Sequence, residues 1–167
     1  ELAKRYDDGT LGPDALAIER AVFETRLKPS RREIKVALLD QRAVAGIGNL
    51  YASEMLHAAA IDPRRRCTLL KSDDWDRLFA AMRDVLLTAV KYEGSTLSDG
   101  TYRNALNKAG GYQNQHRVYD REESPCETCT TPIVRIVQAQ RATFFCPTCQ
   151  GRGKPSRGKP GRGARRK

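Results

Sequence analysis

The amino-acid sequence predicts a mainly α-helical fold that ends in one small β-hairpin and a disordered basic tail. The helical part is indicated by apolar residues that recur at three- and four-residue steps over about residues 11–93. The hairpin is indicated by two short apolar runs that lie between two Cys-x-x-Cys pairs. The tail is indicated by residues 151–167, in which eight of seventeen residues are Lys or Arg and none is acidic.

The composition excludes several classes of protein. The chain has 167 residues, enough for one ordinary domain or two small ones, with 40% hydrophobic and 30% charged residues. No apolar run approaches the roughly 18 residues that a membrane-spanning helix needs. The polar and charged residues 1–8 do not fit a secretory signal. We therefore expect a globular protein that neither spans a membrane nor is exported.

The best-defined predicted helix begins near Ser72 and stops at Gly94. Ser72 is a suitable N-cap, Asp73 and Asp74 fit the first turn, and Gly94 can end the helix. Residues 94–121 then become polar and rich in glycine, which predicts a long loop of the kind that often carries function. The apolar positions at helical spacing are Trp75, Leu78, Phe79, Met82, Val85, Leu86, Ala89 and Val90.

A glycine-containing turn joins two earlier helical patterns. Residues 45–52 read Ala-Gly-Ile-Gly-Asn-Leu-Tyr-Ala and lie between apolar patterns at residues 34–41 and 50–60. The glycines permit a tight turn whose backbone amides, with the N-terminus of the next helix, can face an anion. Asn49 could add a neutral donor of the kind that positions a phosphate backbone without reading sequence. An ordinary connection between helices explains the same residues, so both interpretations remain open.

Two cysteine pairs carry the strongest chemical signal in the chain. Cys126 and Cys129 form one knuckle, Cys146 and Cys149 form another, and sixteen residues separate them. Four thiolates at this spacing can bind one zinc ion tetrahedrally, and a small hairpin with few apolar residues needs such a cross-link to fold. With all four positions taken by protein, the zinc would be structural. Two disulfides are the alternative, but they would require an oxidising compartment.

Arg141 lies at the start of the second predicted strand, after the apolar residues Ile133, Val134, Ile136 and Val137 and before residues 142–145. An arginine at the tip of a hairpin that zinc holds rigid could probe a DNA groove or a kinked phosphate backbone. A solvated surface arginine is the alternative interpretation.

Catalysis by a cysteine and a histidine is not expected. Cys67 follows three arginines, and its expected role is packing. The chain has only two histidines: His57 falls in a helical apolar stretch and His116 in the polar loop. We interpret both histidines as structural or surface residues.

The net charge of +10 is concentrated in the tail. Residues 151–167 carry eight basic side chains, which leaves a net charge of +2 for residues 1–150. The tail repeats Arg-Gly and Lys-Pro steps without large apolar residues, so burial cannot offset the entropy that ordering would cost. It is either a solvated tail or cloning remnant, or a non-specific anchor for phosphate backbones that salt weakens.

Together these motifs resemble one known family. In this order they are similar to the C-terminal part of the formamidopyrimidine-DNA glycosylase and endonuclease VIII family, over about residues 10–150. The matching segments are residues 39–41 (Leu-Asp-Gln), residues 44–54 (Val-Ala-Gly-Ile-Gly-Asn-Leu-Tyr-Ala-Ser-Glu), Val118-Tyr119, and the cysteine hairpin with residues 140–146 (Gln-Arg-Ala-Thr-Phe-Phe-Cys).

The resemblance implies a domain order and one cofactor. Residues 1–120 would form a helix-two-turn-helix DNA-binding domain, with a lesion-loop segment at residues 94–115. Residues 121–150 would form a zinc finger that holds one structural Zn²⁺ ion, and residues 151–167 the disordered tail.

The resemblance also implies base-excision repair: removal of oxidised purines such as 8-oxoguanine and formamidopyrimidine, followed by strand cleavage as an abasic-site lyase. Chemistry on a base requires its extrusion from a bent duplex, which a clamp must hold. By likeness to the family, Asn49 binds phosphate, Lys35 and Arg141 grip the backbone, and Lys108 lies in the loop that closes over the flipped base. The implied partner is double-stranded DNA with oxidised or abasic sites. The resemblance further implies a monomer that is cytoplasmic and associated with the nucleoid.

The sequence departs from the family in two places. The family nucleophile is an N-terminal proline followed by glutamate on a preceding β-sandwich domain, whereas this chain starts Glu-Leu-Ala. We therefore expect a DNA-binding part that is inactive alone. Residues 110–112 also depart from the usual aromatic spacing, which leaves lesion preference open. The alternatives are a stand-alone zinc-dependent DNA-binding or architectural module without enzymatic activity, and a zinc-ribbon protein that binds RNA or protein.

Overall fold

A computed structural model describes residues 10–92 and 115–151. Lys108 and nearly all of the predicted lesion loop lie outside the described residues, as does the predicted disordered tail beyond residue 151. The elements, in chain order, are helices α1 (Arg20–Leu27), α2 (Ile34–Leu38) and α3 (Asn49–Ala58), a short 3₁₀ turn (Cys67–Leu69), helix α4 (Ser72–Lys91), and strands β1 (Val134–Gln138) and β2 (Arg141–Phe145). A mainly helical fold with one antiparallel hairpin, as predicted, is confirmed.

The helical core forms around the apolar stripe of α4. Trp75, Leu78 and Met82 are fully buried along this helix and face α1 and α3. Phe23 of α1 packs edge-on against Trp75, with ring centroids 6.0 Å apart. Each such side chain contributes about 1.5–3 kcal/mol by leaving water, so this stripe fixes the helices against one another.

The N-terminus of α4 differs from the prediction by one residue. Ser72 is the first helical residue rather than the N-cap, which is Lys71. The Asp74 carboxylate accepts the backbone N–H of Lys71 at 2.9 Å and forms ion pairs with Arg65 and Arg77. A carboxylate in the first turn, and not the Ser72 hydroxyl, therefore stabilises the start of the helix. No helix in the described ranges is both long and apolar enough to cross a membrane.

The hairpin turns at Ala139 and Gln140. Both residues have left-handed backbone, with φ of 46° and 63°, as two-residue turns of type I′ require. The register pairs Gln138 with Arg141 and Val134 with Phe145. Arg141 is therefore the first residue of β2, beside the turn, as predicted.

A second apolar cluster attaches the hairpin to the helices. Val118, Ile133 and Phe144 are buried in it beside two of the cysteines, and Tyr119 packs against both this cluster and the helical core. The Tyr119 and Phe144 rings are 5.1 Å apart. At the tip of the hairpin, the Gln138 amide donates to the Glu33 carboxylate at 2.6 Å. The hairpin is thus held against the helices both at its tip and through the apolar cluster at its base.

Candidate metal centre and anion-binding surface

The four predicted zinc ligands converge on one point. The Sγ atoms of Cys126, Cys129, Cys146 and Cys149 all lie within 4.8 Å of one another. The distance between Sγ atoms is 3.9 Å for Cys126 and Cys149 and 3.4 Å for Cys129 and Cys146. Sulfurs at the corners of a tetrahedron with Zn–S bonds of about 2.3 Å are separated by about 3.8 Å. The geometry fits one structural zinc ion with four thiolate ligands, as predicted.

Two of the four sulfurs, those of Cys146 and Cys149, need a cation to be held as thiolates. Burial, followed by the neighbouring thiols, raises the pKa of Cys149 well above its usual range. Burial also raises the pKa of Cys146. A divalent ion reverses this balance because it stabilises the deprotonated sulfurs directly.

The predicted glycine turn brings an amide-rich backbone to the start of α3. Gly46 has φ of +95°, a conformation that favours glycine, and Gly48 is the N-cap of α3. The Gln41 side chain stabilises the turn: its Nε2 donates to the Ile47 carbonyl at 2.9 Å, and its Oε1 accepts the Gly46 N–H at 2.9 Å. Gln41 belonged to the motif that carried the resemblance, but sequence reasoning gave it no role.

Three groups that are distant in the sequence meet at the end of this turn. Lys35 Nζ donates to Asn49 Oδ1 at 2.5 Å and to the Ala142 carbonyl at 3.3 Å. Asn49 Nδ2 donates to the same carbonyl at 3.1 Å. Since Ala142 directly follows Arg141 in β2, the structure brings Lys35, Asn49 and Arg141 to one place, where the hairpin crosses the helical turn.

Among the described residues, neither cation of this cluster is paired with a carboxylate. Lys35 is fully buried, and within residues 10–92 and 115–151 it has no ion-pair partner. Burial, and then the charge of Arg141, lower the pKa of Lys35 to about 8. Arg141 is exposed, and its guanidinium has no hydrogen-bond or ion-pair partner among the described residues. A buried cation beside an unpaired guanidinium favours a bound anion.

Hydrogen-bonding capacity remains for such an anion. An asparagine amide has two N–H donors, and Asn49 uses one of them on Ala142. The guanidinium of Arg141 has five N–H donors in a planar fork that suits phosphate. The N-terminus of α3, at Asn49, adds backbone N–H groups without helical partners and the positive end of the helix dipole. The arrangement can therefore bind a phosphate group.

Glu54 joins the helices to the segment before the zinc site, a role that sequence reasoning missed. Its carboxylate is 2% exposed. It accepts three consecutive backbone N–H groups: Arg117 at 2.9 Å on Oε2, and Val118 at 3.0 Å and Tyr119 at 2.8 Å on Oε1. The only available signal in the sequence was that Glu54 is the last residue of a matching motif and falls within an apolar helix.

The remaining cysteine and the two histidines are structural. Cys67 is fully buried in the helical core, and burial raises the pKa of its thiol to about 11, so its predicted packing role is confirmed. His116 packs edge-on against Tyr119. His57 is buried, and its Nε2 lies 3.5 Å from Sγ of Cys126. Burial lowers the pKa of His57. The predicted site residue Lys108 lies outside the described residues.

Two family models match the chain. The formamidopyrimidine-DNA glycosylase H2TH domain matches residues 11–101, and the zinc finger found in FPG and IleRS matches residues 123–151. These matches cover the helical part and the cysteine hairpin respectively.

Similar proteins come from several bacteria. A formamidopyrimidine-DNA glycosylase of Thermus thermophilus is 48% identical over 145 residues, which cover 86% of this chain and 54% of that protein. One from Listeria monocytogenes is 40% identical over 158 residues, which cover 90% of this chain and 57% of that protein. The chain thus spans about half the length of the curated relatives it matches.

Solved structures show the same fold. The crystal structure of the MutM (Fpg) protein from Thermus thermophilus matches with a TM-score of 0.81 and 46% identity, covering 86% of this chain and 55% of that one. The Lactococcus lactis Fpg in complex with DNA containing an abasic site also has a TM-score of 0.81, at 31% identity over 90% of this chain and 55% of that one. With the helical turn and the four-cysteine hairpin both in place, the chain belongs to the formamidopyrimidine-DNA glycosylase H2TH family.

Proposed function

We propose that this chain is the DNA-binding C-terminal part of a base-excision repair glycosylase and abasic-site lyase that acts on oxidised purines. The observation that carries the proposal is the meeting of Lys35, Asn49 and Arg141 where the zinc hairpin crosses the helical turn. Family membership and the DNA-bound Lactococcus lactis structure support DNA as the ligand of that cluster.

The three residues have different roles in this proposal. Asn49 and Arg141 donate hydrogen bonds to phosphate oxygens of the DNA backbone. Lys35 acts from beneath the hairpin: it orients the Asn49 amide through Oδ1 and adds a positive charge that water does not screen. Lys108 would contribute from the loop over the flipped base. Contacts of this kind position a duplex without reading its sequence.

In this proposal zinc supports DNA binding indirectly, because it fixes the hairpin that carries Arg141. The four cysteines cross-link the base of the hairpin, and the hairpin carries Arg141 at the other end. A fixed hairpin and a fixed helical turn can hold a bent duplex from two sides, and a bent duplex is what extrusion of a damaged base requires. In this proposal the chain acts as a monomer on the DNA of the nucleoid.

Fluorescence anisotropy on duplexes with and without one abasic site tests the proposal. We expect the zinc-loaded chain to bind both duplexes and Arg141→Ala to weaken both by at least about tenfold, since hydrogen bonds to charged groups contribute about 1.5–3 kcal/mol. Arg135→Ala is the matched control: Arg135 lies on the same hairpin, but the register places it on the opposite face. Equal losses for the two variants would contradict the proposed surface.

Borohydride trapping on the abasic duplex separates binding from chemistry. Binding without a covalent adduct identifies the chain as a DNA-holding part that does not itself form the Schiff base. A covalent adduct would show that an amine of this chain forms the Schiff base, and the chain would then be a lyase itself.

A further inference from the structure

The metal centre has an additional side chain against it, contributed by helix α3. His57 lies one turn after Glu54, so both side chains project from the same side of the helix. The His57 ring is 6% exposed, and its Nε2 is 3.5 Å from Sγ of Cys126. A ring N–H can donate to sulfur at that distance. Neither the zinc finger motif nor the DNA-binding cluster accounts for this contact.

The two ring nitrogens of His57 have different surroundings. Nδ1 is buried and has no hydrogen-bond partner in the part of the chain that the structure describes. A neutral imidazole carries one N–H donor and one acceptor nitrogen. A proton on Nδ1 would leave a buried donor unpaired and direct the Nε2 lone pair at the sulfur, and both arrangements are unfavourable. A proton on Nε2 instead places the ring N–H donor against the Cys126 sulfur, which can accept it.

We propose that His57, as the Nε2–H tautomer, donates a hydrogen bond to the Cys126 thiolate when zinc is bound and is a positioning residue of the metal centre. Four thiolates and one Zn²⁺ ion carry a net charge of −2, so a donor aimed at one sulfur stabilises the loaded site. The same bond would fasten α3 to the zinc. Asn49 lies eight residues earlier on that helix, about 12 Å away along its axis.

This inference rests on the zinc site and not on the proposed function, so its test needs no DNA. Long-range ¹H–¹⁵N correlation spectra of the zinc-loaded chain report which ring nitrogen of His57 carries the proton. We expect a protonated Nε2 and a bare Nδ1. A bare Nε2, with the proton on Nδ1, would overturn the proposal.

Competition for zinc with a chromogenic chelator provides a second test, on variants. His57→Phe keeps the ring shape and removes the donor, whereas Gln can place its amide N–H near the position of Nε2. We expect His57→Phe to weaken zinc binding by about tenfold, as loss of an outer hydrogen bond typically does, and His57→Gln to stay within about threefold of wild type.

A core variant controls for general loss of stability. Leu78→Ala creates a cavity in α4, in the helical core and outside the zinc cluster. If Leu78→Ala weakens zinc binding as much as His57→Phe does, or if His57→Phe leaves zinc affinity unchanged, the hydrogen bond does not support the metal centre and the proposal fails.

Discussion

Replacement of Glu54 by glutamine should loosen the connection between the helices and the zinc finger. The change keeps the size of the side chain and removes one charge from a carboxylate that is 2% exposed. That carboxylate is the shared acceptor of three consecutive backbone N–H groups, at residues 117–119. Because the acceptor is charged and buried, its bonds belong to the stronger class, at about 1.5–3 kcal/mol each.

The size of the effect follows from the geometry. In Glu54→Gln the amide oxygen can still accept the two N–H groups that meet Oε1, but as neutral bonds that contribute about 1 kcal/mol each. The amide nitrogen then faces the Arg117 N–H, which is left partly buried without an acceptor. Two weakened bonds and one unpaired donor together reduce the free energy of unfolding by about 3 kcal/mol.

Urea denaturation of the zinc-loaded chain measures this loss, and hydrogen exchange locates it. We expect faster exchange at the amides of residues 117–119 in Glu54→Gln. The matched control is Glu24→Gln on α1, where the carboxylate pairs with Arg20 and Lys28 near the surface and should contribute less than about 1 kcal/mol. If Glu54→Gln unfolds within about 0.5 kcal/mol of wild type, the carboxylate does not hold this segment.

Four further outcomes are expected. Asn49→Ala should weaken binding to undamaged and abasic duplexes alike, by about tenfold in gel-shift titrations, and loss on one duplex only would contradict a phosphate contact. Chelation of zinc should unfold the hairpin and weaken DNA binding, as circular dichroism and anisotropy would show; unchanged affinity would count against the metal's role. Since the pKa of Lys35 is about 8, DNA affinity should fall as pH rises above 8, by up to about tenfold per pH unit, and Lys35→Met should remove this dependence. Deletion of residues 151–167 should flatten the salt dependence of binding, and an unchanged slope would show that the tail does not contact DNA.

The elements that local sequence determines were predictable. Apolar spacing predicted α4, because the buried stripe of a helix must repeat at three- and four-residue steps. The cysteine spacing predicted the metal centre, because each Cys-x-x-Cys pair brings two sulfurs close together. The antiparallel hairpin between the pairs then brings one pair next to the other. The cap of α4 was misplaced by one residue because Ser72 has the side chain of a typical N-cap, whereas the structure places Lys71 at that position and Asp74 accepts its N–H.

The contacts that tertiary packing determines were not predictable from the residues. Lys35 and Ala142 are 107 positions apart, so only the docking of the hairpin brings them together. The resemblance named Lys35, Asn49 and Arg141, but the hydrogen bond between Lys35 and Asn49, their shared acceptor at the Ala142 carbonyl and the burial of Lys35 came from the structure. Glu54 gave no side-chain signal because its partners are backbone N–H groups, which every sequence possesses.

A double-mutant cycle on DNA affinity tests most directly whether the helical turn and the zinc hairpin form one phosphate-binding site. Dissociation constants would be measured for the wild type, Asn49→Ala, Arg141→Ala and the double variant, on one abasic duplex at one salt concentration. If both residues hold the same phosphate group, the double variant should lose less than the two single losses combined, with a coupling energy of about 1 kcal/mol. Losses that add to within about 0.3 kcal/mol would show that the two residues act independently, and the single-site account would be wrong.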